Sequence, residues 1–408
     1  MTQISELPAS ATAQAVPGRR ARILANVLES AGVPCEIVLP DRTVVRCGEG
    51  APTFRVTIKD ESALRAGTDE LALGAAYVEG RIDLEGDLLS MFDVRSRLAD
   101  RTPWMARLNF LAQLLQKPTS MNKKAIGFHY TLGDDFYLTF IDSRHRFYSH
   151  GIFASETESI EEASTHKLET MFNALQLKPG MRILDIGAGW GGAMEYCAGR
   201  GVNYTGLTIA DDSYRFVSNL IRERGYDAEI HLQDFLEYRP EKPFDAIVIY
   251  GVIEHIPNYR RFCERVWECL APGGRIYMDA SASKEKFKMS AFTRRYIWHG
   301  THTFLELQGI VQEFLLNGFK VIEVQNESRD YELTMKQWAE RFDAAHEKIA
   351  AKWGEELYRA FRIYLWGGCH AFHDDRLQAY HVVAERGTER GPRPGTWERA
   401  KNFVVGLR

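Results

Sequence analysis

Ile183-Leu184-Asp185-Ile186-Gly187-Ala188-Gly189-Trp190-Gly191-Gly192 is the stretch of sequence that decides the fold. An apolar run ends at a glycine-rich turn, and residues 193–199 follow as a predicted helix. Glycine lets the backbone adopt left-handed conformations and lets a ligand approach the main chain closely. We therefore predict a strand, a turn and a helix that bind a cofactor at Gly187, Gly189 and Gly191.

Helices and apolar strands alternate on both sides of this stretch. Strands are predicted over 182–185, 203–209, 228–232, 246–250 and 274–279, and helices over 164–175, 212–224 and 259–270. Strands and helices that alternate at this spacing predict a doubly wound parallel sheet. Two later strands, 320–327 and 379–385, flank a helical insertion over 333–373. The predicted fold class is therefore α/β.

Composition shifts along the chain predict its domain organisation. The first residues are rich in Ala, Ser and Thr, and short helices and short strands, the latter over 37–47 and 53–58, are predicted to follow them. An amphipathic stretch with charged ends comes next. We predict a disordered tail over 1–17, a small α+β N-terminal domain over 18–100, a linker helix over 101–128, the catalytic domain over 129–388 and a C-terminal tail over 389–408.

Charge and cysteine content exclude several classes of protein. The 408 residues carry a formal net charge of −4, so there is no global basic field of the kind that binds nucleic acid. The six cysteines form no CxxC pair, which argues against a zinc site or a redox motif. No apolar run reaches the length of a membrane span. We expect a cytoplasmic protein.

Three features favour S-adenosylmethionine as the cofactor of the glycine turn. Asp185 precedes the glycines, where its carboxylate can face a cationic ligand. The second strand ends at Thr208, with two aspartates at 211–212, and Gln233 and Asp234 follow the third strand, where contacts to an adenine are usual. The predicted sheet is then the Rossmann-like sheet of class I methyltransferases. A nicotinamide cofactor and a glycine turn without a ligand are the alternatives.

The fourth strand predicts where the chemistry takes place. Ligands of such sheets bind at the carboxyl ends of the strands. The apolar run over 244–252 leads directly to Glu254 and His255. A carboxylate just past a buried strand suits catalysis, whereas His255 fits a packed, hydrogen-bonded residue equally well.

Several motifs in the same order resemble the cyclopropane fatty acid synthase family, which includes the mycolic acid cyclopropane synthases. The aromatic segment over 129–153 resembles the family's HYDLGNDFY…YSCAYF signature, and the glycine turn its LDIGCGWGG. Further matches lie at 54–59, 73–80, 253–255, 296–297 and 330–338. The match covers most of the chain.

The resemblance implies transfer of the S-adenosylmethionine methyl group to the cis double bond of a phospholipid acyl chain. In the family, a bound bicarbonate then removes a proton and closes a cyclopropane ring. A Cys, a Glu, a His and a Tyr of the motifs hold that bicarbonate. The Glu and the Tyr are matched by Glu254 and Tyr331. We also predict that Tyr148 and Ser149, in the aromatic segment, contact the cofactor.

This sequence departs from the family pattern at two positions of the bicarbonate site. His150 stands at the position of the Cys, and Asp279 at that of the His. A second carboxylate would repel an anionic bicarbonate, so bicarbonate is a doubtful ligand. Either His150 compensates for Asp279 or is itself the base, or the proton leaves by another route. We expect a methyl-branched or methylene product in preference to a cyclopropane.

The resemblance also implies a partner, an unsaturated phospholipid at the inner membrane face. Basic and aromatic residues mix over 284–298, as they do in membrane-surface segments, although a solvated helix face has the same composition. A homodimer is compatible with the sequence. Two other functions are open: a small-molecule N- or C-methyltransferase of natural-product metabolism, and a catalytically inactive lipid-binding homologue.

Overall fold

The computed structural model describes residues 32–65, 70–94, 132–284, 289–298 and 302–391, with six isolated positions outside these ranges. The predicted tail over 1–17 and the predicted linker helix over 101–128 lie outside the described residues, as does most of the predicted tail over 389–408. Among the described helices, none is long and apolar enough to cross a membrane.

The described residues form eleven strands and thirteen helices. The strands are β1 Cys35–Val38, β2 Val44–Cys47, β3 Phe54–Ile58, β4 Ile82–Gly86, β5 Arg182–Ile186, β6 Asn203–Thr208, β7 Ala228–Leu232, β8 Phe244–Tyr250, β9 Leu270–Ala282, β10 Phe319–Asn326 and β11 Gln378–Arg386. The helices are α1 Glu61–Arg65, α2 Glu70–Val78, α3 Leu88–Phe92, α4 Asp134–Tyr137, α5 Ile160–Ala174, α6 Gly192–Ala198, α7 Asp211–Arg224, α8 Tyr259–Cys269, α9 Ala291–Tyr296, α10 Leu307–Leu316, α11 Ser328–Ala344, α12 His346–Trp353 and α13 Glu355–His373.

The chain divides into two compact units. The N-terminal unit takes its residues from 1–121, 289–300 and 335–371, and the sheet unit from 122–288, 301–334 and 372–408. Residues of α9, α12 and most of α13 therefore belong with the N-terminal unit, although they lie inside the range 129–388. The predicted domain bounds stay a prediction.

The N-terminal unit is built on a four-stranded sheet in the order β2-β1-β3-β4. The sequence predicted one strand over 37–47, but the structure has two antiparallel strands there, β1 and β2. Asp41 accepts a hydrogen bond from the Thr43 N–H, and Arg42 has a φ of +67°, so the chain reverses between them. Arg359 of α13 donates to Asp83 of β4 at 2.7 Å, which ties the helix to this sheet.

The sheet unit is built on seven strands in the order β10-β11-β9-β8-β5-β6-β7. Strands β5 to β9 are parallel, and β11 is antiparallel to both β9 and β10. Ile247 and Ile249 of β8 pack into the core on one face, whereas Ala246 and Val248 pack into the core on the other. Both faces are thus covered, as a doubly wound sheet requires. The predicted Rossmann-like α/β fold is confirmed.

Two predicted elements differ from the structure in length. The helical insertion over 333–373 is three helices, α11 to α13, and Gly354, with a φ of +94°, separates the last two. The strand predicted over 274–279 extends to Ala282 as β9. That extension carries Ser281 beyond Asp279 on the same strand.

Candidate active site

The glycine turn after β5 has the geometry that the sequence predicts. Gly187, Gly189 and Gly191 have φ values of +92°, +52° and +78°, in the region that favours glycine. A Cβ on Gly187 would overlap Cγ2 of Val252, so the turn has no space there for a side chain. Helix α6 begins at Gly192, directly after the turn.

Asp185 lies buried near the end of β5, and only one of its two carboxylate oxygens accepts a hydrogen bond from a described residue. Its Oδ2 accepts a hydrogen bond from the Tyr204 hydroxyl at 2.6 Å, and its side chain is 2% exposed. Its Oδ1 has no hydrogen-bond partner among the described residues. Burial raises the pKa of this carboxyl to about 7. A buried, half-satisfied carboxyl suits a ligand that donates a hydrogen bond or carries positive charge.

The aromatic segment packs against the glycine turn. The indole Nε1 of Trp190 donates to Oδ1 of Asp134 at 2.6 Å, and the Arg146 Nε donates to the Trp190 carbonyl at 3.1 Å. The Tyr137 ring lies 5.6 Å from the Trp190 ring and 5.0 Å from that of Tyr148. Tyr148 and Ser149 are thereby placed near the turn by residues of the same segment.

The other predicted cofactor residues follow β6 and β7. The Gln233 N–H donates to the Thr208 carbonyl at 2.8 Å, so the ends of the two strands are joined. Thr208 is buried and its hydroxyl accepts from the Ala210 N–H, whereas Gln233 is exposed. Asp234 accepts from the Leu236 N–H at 2.8 Å and orders the turn after β7.

Glu254 lies in a single 3-10 turn, Ile253–His255, just past β8. Its Oε1 accepts from the Ser281 N–H at 2.9 Å and from the Ser281 hydroxyl at 2.8 Å. Its Oε2 is buried without a hydrogen-bond partner among the described residues. Burial raises the pKa of Glu254 to about 7 and lowers that of His255 to about 4, so His255 is neutral near pH 7.

Asp279 is part of an ion pair that the sequence did not predict. Its Oδ2 lies 2.6 Å from the Nζ of Lys167, and neither side chain is more than 1% exposed. Its Oδ1 accepts from the Gly251 N–H at 2.9 Å. Lys167 also donates to the Ser149 hydroxyl at 2.6 Å and to the His150 carbonyl at 2.8 Å. One ammonium therefore joins β9 to the aromatic segment.

His150 belongs to a second buried chain of polar contacts. Its Nε2 lies 2.7 Å from Oε2 of Glu327, and Oε1 of Glu327 lies 2.6 Å from Nδ1 of His381. None of the three side chains is more than 3% exposed. Burial alone would raise the pKa of Glu327, but the hydrogen bonds from the two imidazoles outweigh burial and lower it to about 2. Glu327 is therefore a carboxylate at neutral pH.

Tyr331 completes the surroundings of His150. Its ring stacks on the imidazole with centroids 4.8 Å apart and on Phe372 with centroids 4.3 Å apart. Of the four predicted catalytic residues, His150 and Tyr331 thus touch directly. Lys167 links the His150 carbonyl to Asp279, and Glu254 binds Ser281 two residues further along the same strand.

Three residues of this network, Lys167, Glu327 and His381, are absent from the sequence prediction. The sequence around Lys167 indicates its burial, because the lysine shares a helical face of α5 with apolar residues. A lysine on such a face requires a buried partner. Glu327 follows the end of β10 and His381 lies within β11, 54 residues further along the chain, and no local pattern connects them.

Comparison with known proteins identifies the family. A family model described as mycolic acid cyclopropane synthetase matches residues 117–382. The cyclopropane-fatty-acyl-phospholipid synthase of Escherichia coli (strain K12) is 31% identical over 339 residues, which cover 79% of this chain and 85% of that protein. The chain belongs to the mycolic acid cyclopropane synthetase family. It is an S-adenosylmethionine-dependent methyltransferase, as predicted.

This family member is also similar to a further relative and to a solved structure. A probable fatty acid methyltransferase of Pseudomonas putida is 24% identical over 396 residues, which cover 92% of this chain and 98% of that protein. The crystal structure of mycolic acid cyclopropane synthase CmaA1 with SAH and CTAB covers 65% of this chain and 98% of its own. Its TM-score is 0.60 at 24% identity, which shows a shared fold.

The residues of this family member fit S-adenosylmethionine. At Gly189 a Cβ would have a single described atom within 4 Å, the Gly187 carbonyl oxygen at 4.0 Å, so the turn leaves the backbone open to a ligand there. The free Oδ1 of Asp185 supplies a buried acceptor just before the turn. The predicted cofactor residues stay a prediction; among them Asp185, Thr208 and Gln233 lie at or just past the carboxyl ends of β5, β6 and β7.

Bicarbonate does not fit the residues of this family member. Asp279 carries negative charge where the family pattern has a His, and the Lys167 ammonium beside it is already shared with Ser149 and the His150 carbonyl. Burial first, and then the charge of Asp279, raise the pKa of both Asp185 and Glu254. Another anion would meet a site that already resists negative charge.

Proposed function

We propose that the protein transfers the methyl group of S-adenosylmethionine to the cis double bond of an unsaturated phospholipid acyl chain. Its product is a methyl-branched or methylene chain, or a cyclopropane, and we favour the products without a ring. The observation that carries the proposal is the 31% identity to the Escherichia coli synthase over most of both chains. The aromatic rings around His150 suit an apolar acyl chain and a reaction that passes through a carbocation.

The bound cofactor supplies an electrophilic methyl group. An alkene is a poor nucleophile, so the protein contributes chiefly by positioning the two reactants. For the cofactor we assign Tyr148, Ser149, Asp185, Gly187, Gly189, Gly191, Thr208, Gln233 and Asp234. The turn glycines keep side chains away from the ligand, and the buried Asp185 Oδ1 accepts its hydrogen bond.

Methyl addition leaves a carbocation on the acyl chain, and the second group of residues acts on it. The aromatic rings beside His150, among them Tyr331 and Phe372, exclude water that would trap the cation. Glu254, once ionised, places negative charge at the end of β8. Asp279 acts through Lys167, which fixes the backbone of His150.

We place this reaction at the surface of a membrane on its cytoplasmic side. A phospholipid acyl chain has to leave the bilayer to reach residues as buried as His150 and Glu254. Flotation of the purified protein with anionic and neutral vesicles tests this association. Recovery of the protein only in the unbound fraction with both lipids would contradict it.

The reaction itself is tested with the full chain, isotopically labelled S-adenosylmethionine and phospholipid vesicles that contain cis-monounsaturated chains. We expect the labelled methyl carbon in the acyl chain, identified by mass spectrometry, and none in vesicles of saturated phospholipid. Catalytic hydrogenation separates the products, because a methyl-alkene takes up hydrogen under conditions that spare a cyclopropane. Methylation of an amine with no labelled acyl chain would favour the small-molecule alternative. Cofactor binding with no transfer to any lipid would favour the inactive homologue.

A further inference from the structure

A buried imidazole with a free nitrogen lies at the position where the family pattern has its Cys. Nε2 of His150 is hydrogen-bonded to Glu327, and Nδ1 is buried without a partner among the described residues. We propose that Nδ1 of His150, oriented by Glu327 and His381, takes the proton from the carbocation, so that this protein needs no bicarbonate. The inference rests on the proposed function.

Glu327 decides which nitrogen of His150 holds the proton. A carboxylate only accepts hydrogen bonds, so the short contact to Oε2 requires a hydrogen on Nε2. In a neutral imidazole the other nitrogen, Nδ1, then carries the lone pair. His381 donates to the second oxygen of the same carboxylate and holds it in place. This is the logic by which a buried carboxylate orients the catalytic His of a hydrolase triad.

The groups around His150 favour an imidazole that gains a proton. Glu327 faces its ring edge from just before α11, and Asp330 lies three residues further along the chain, in that helix. Tyr331 covers one ring face, and Lys167 of α5 faces only the backbone carbonyl. His381 of β11 reaches it through Glu327. The nearest charged side chain is therefore a carboxylate, which stabilises the imidazolium.

The step balances without a further reactant. The π electron pair of the acyl double bond forms the new carbon–carbon bond, and the electrons of the broken sulfur–carbon bond stay on sulfur. His150 then removes a proton from a carbon next to the cation or from the new methyl group. The electrons of that C–H bond form an alkene in the first case and close a ring in the second. The imidazolium afterwards returns the proton to water.

The tautomer of His150 can be measured without substrate. We would record the imidazole ¹⁵N resonances of the full chain labelled in histidine and assign His150 by its loss in His150→Gln. We expect a hydrogen on Nε2 and none on Nδ1 at neutral pH, and a mixture of tautomers in Glu327→Gln. A hydrogen on Nδ1, or the same spectrum in both proteins, would overturn the proposal.

Methyl transfer to vesicles in CO₂-free buffer, with and without added bicarbonate, tests the chemical role. We expect the same rate in both buffers. Glu327→Gln should lower kcat about 10²-fold with little change in KM, because a positioned base contributes at least that much. The acid limb of the kcat–pH profile of Glu327→Gln should move to lower pH, since the His150 imidazole loses an anionic neighbour. A purely structural role for Glu327 would not move that limb.

Glu323→Gln is the matched control, because this more exposed carboxylate lies 3.7 Å from Nε2 of His381 but does not touch His150. It should leave both kcat and the acid limb unchanged. A wild-type rate that depends on bicarbonate would refute this inference and leave the proposed function standing. Absence of methyl transfer in both buffers would refute the proposed function and, with it, the role of His150.

Discussion

The two ends of the catalytic sheet edge differ in how their contacts are made. At the proposed cofactor end, the site is shaped by backbone conformation, through the left-handed glycines that follow β5. At the end that we propose accepts the proton, pairs of buried polar side chains make the contacts: Lys167 with Asp279, and His150 with Glu327. The first end keeps the glycines of the family pattern, and the second departs from that pattern at two of the four positions that hold bicarbonate in the family.

This difference indicates which part of the site can change within the fold. A glycine turn that holds a cofactor has few alternatives, because any side chain occupies ligand space or strains the backbone. A network of buried charges can be exchanged, provided that each charge keeps a partner. The four substitutions below separate these two kinds of constraint.

The largest effect is expected for Lys167→Met. It leaves the Asp279 carboxylate buried without its ammonium, and breaking such a pair costs about 3–5 kcal/mol in the free energy of unfolding. Urea denaturation measures the loss. The double variant Lys167→Met with Asp279→Asn should recover much of it, because no unpaired charge remains. Additive losses in the double variant would show that the two side chains act independently.

Gly187→Ala tests the constraint at the cofactor end. The new Cβ would overlap Val252, so we expect at least about 10²-fold weaker S-adenosylmethionine binding by calorimetry, which corresponds to about 2.7 kcal/mol. Gly180→Ala is the matched control, since Gly180 has a φ of +85° but open space around its Cα. It should destabilise the fold by about 1 kcal/mol and leave cofactor affinity unchanged. Equal affinity in both variants would contradict the proposed cofactor site.

Glu254→Gln should separate chemistry from binding. The amide keeps an oxygen for Ser281 but cannot carry negative charge beside the cation. We expect the rate of methyl transfer to fall about 10²-fold, as for the loss of one electrostatic contact in an active site. Cofactor affinity should stay within the range of the exposed control Glu229→Gln. A proportional loss of affinity would instead place Glu254 in the cofactor site.

The smallest effect concerns stability and pH. Burial raises the pKa of Asp185 to about 7, so the stabilisation of its protonated form is complete below its usual pKa and is lost as the pH rises through 7. Asp185→Asn should flatten the fall in the free energy of unfolding between about pH 4 and 7 by up to about 1.4 kcal/mol per pH unit. Urea denaturation across that range measures it. An unchanged slope would show that Asp185 is ionised in the folded protein.

The features that could be predicted from the sequence are those that depend on residues adjacent in the chain. The glycine turn after β5 and the position of Glu254 just past β8 could be predicted because each directly follows an apolar strand in the sequence. The fold class followed from the alternation of strands and helices. The hairpin at Arg42 was missed because a single positive φ reverses a run that otherwise continues as one strand.

The partners of His150 and Asp279 could not be predicted in the same way. Glu327 meets His150 across 177 residues, so the contact exists only once β10 and β11 have joined the sheet. The lysine in the apolar stripe of α5 indicates a buried partner, but it does not indicate which carboxylate. The charged partner of Asp279 therefore comes from another element of the fold.

The shared ammonium of Lys167 also bears on how such enzymes can be converted into one another. Replacing His150 and Asp279 by the family's Cys and His would leave Lys167 with no carboxylate to neutralise it. Exchanging Asp279 alone passes through a protein with an unpaired buried ammonium, and exchanging Lys167 alone through one with an unpaired buried carboxylate. The present pair is therefore separated from an uncharged pair by a stability barrier, which a stabilised starting protein would cross most easily.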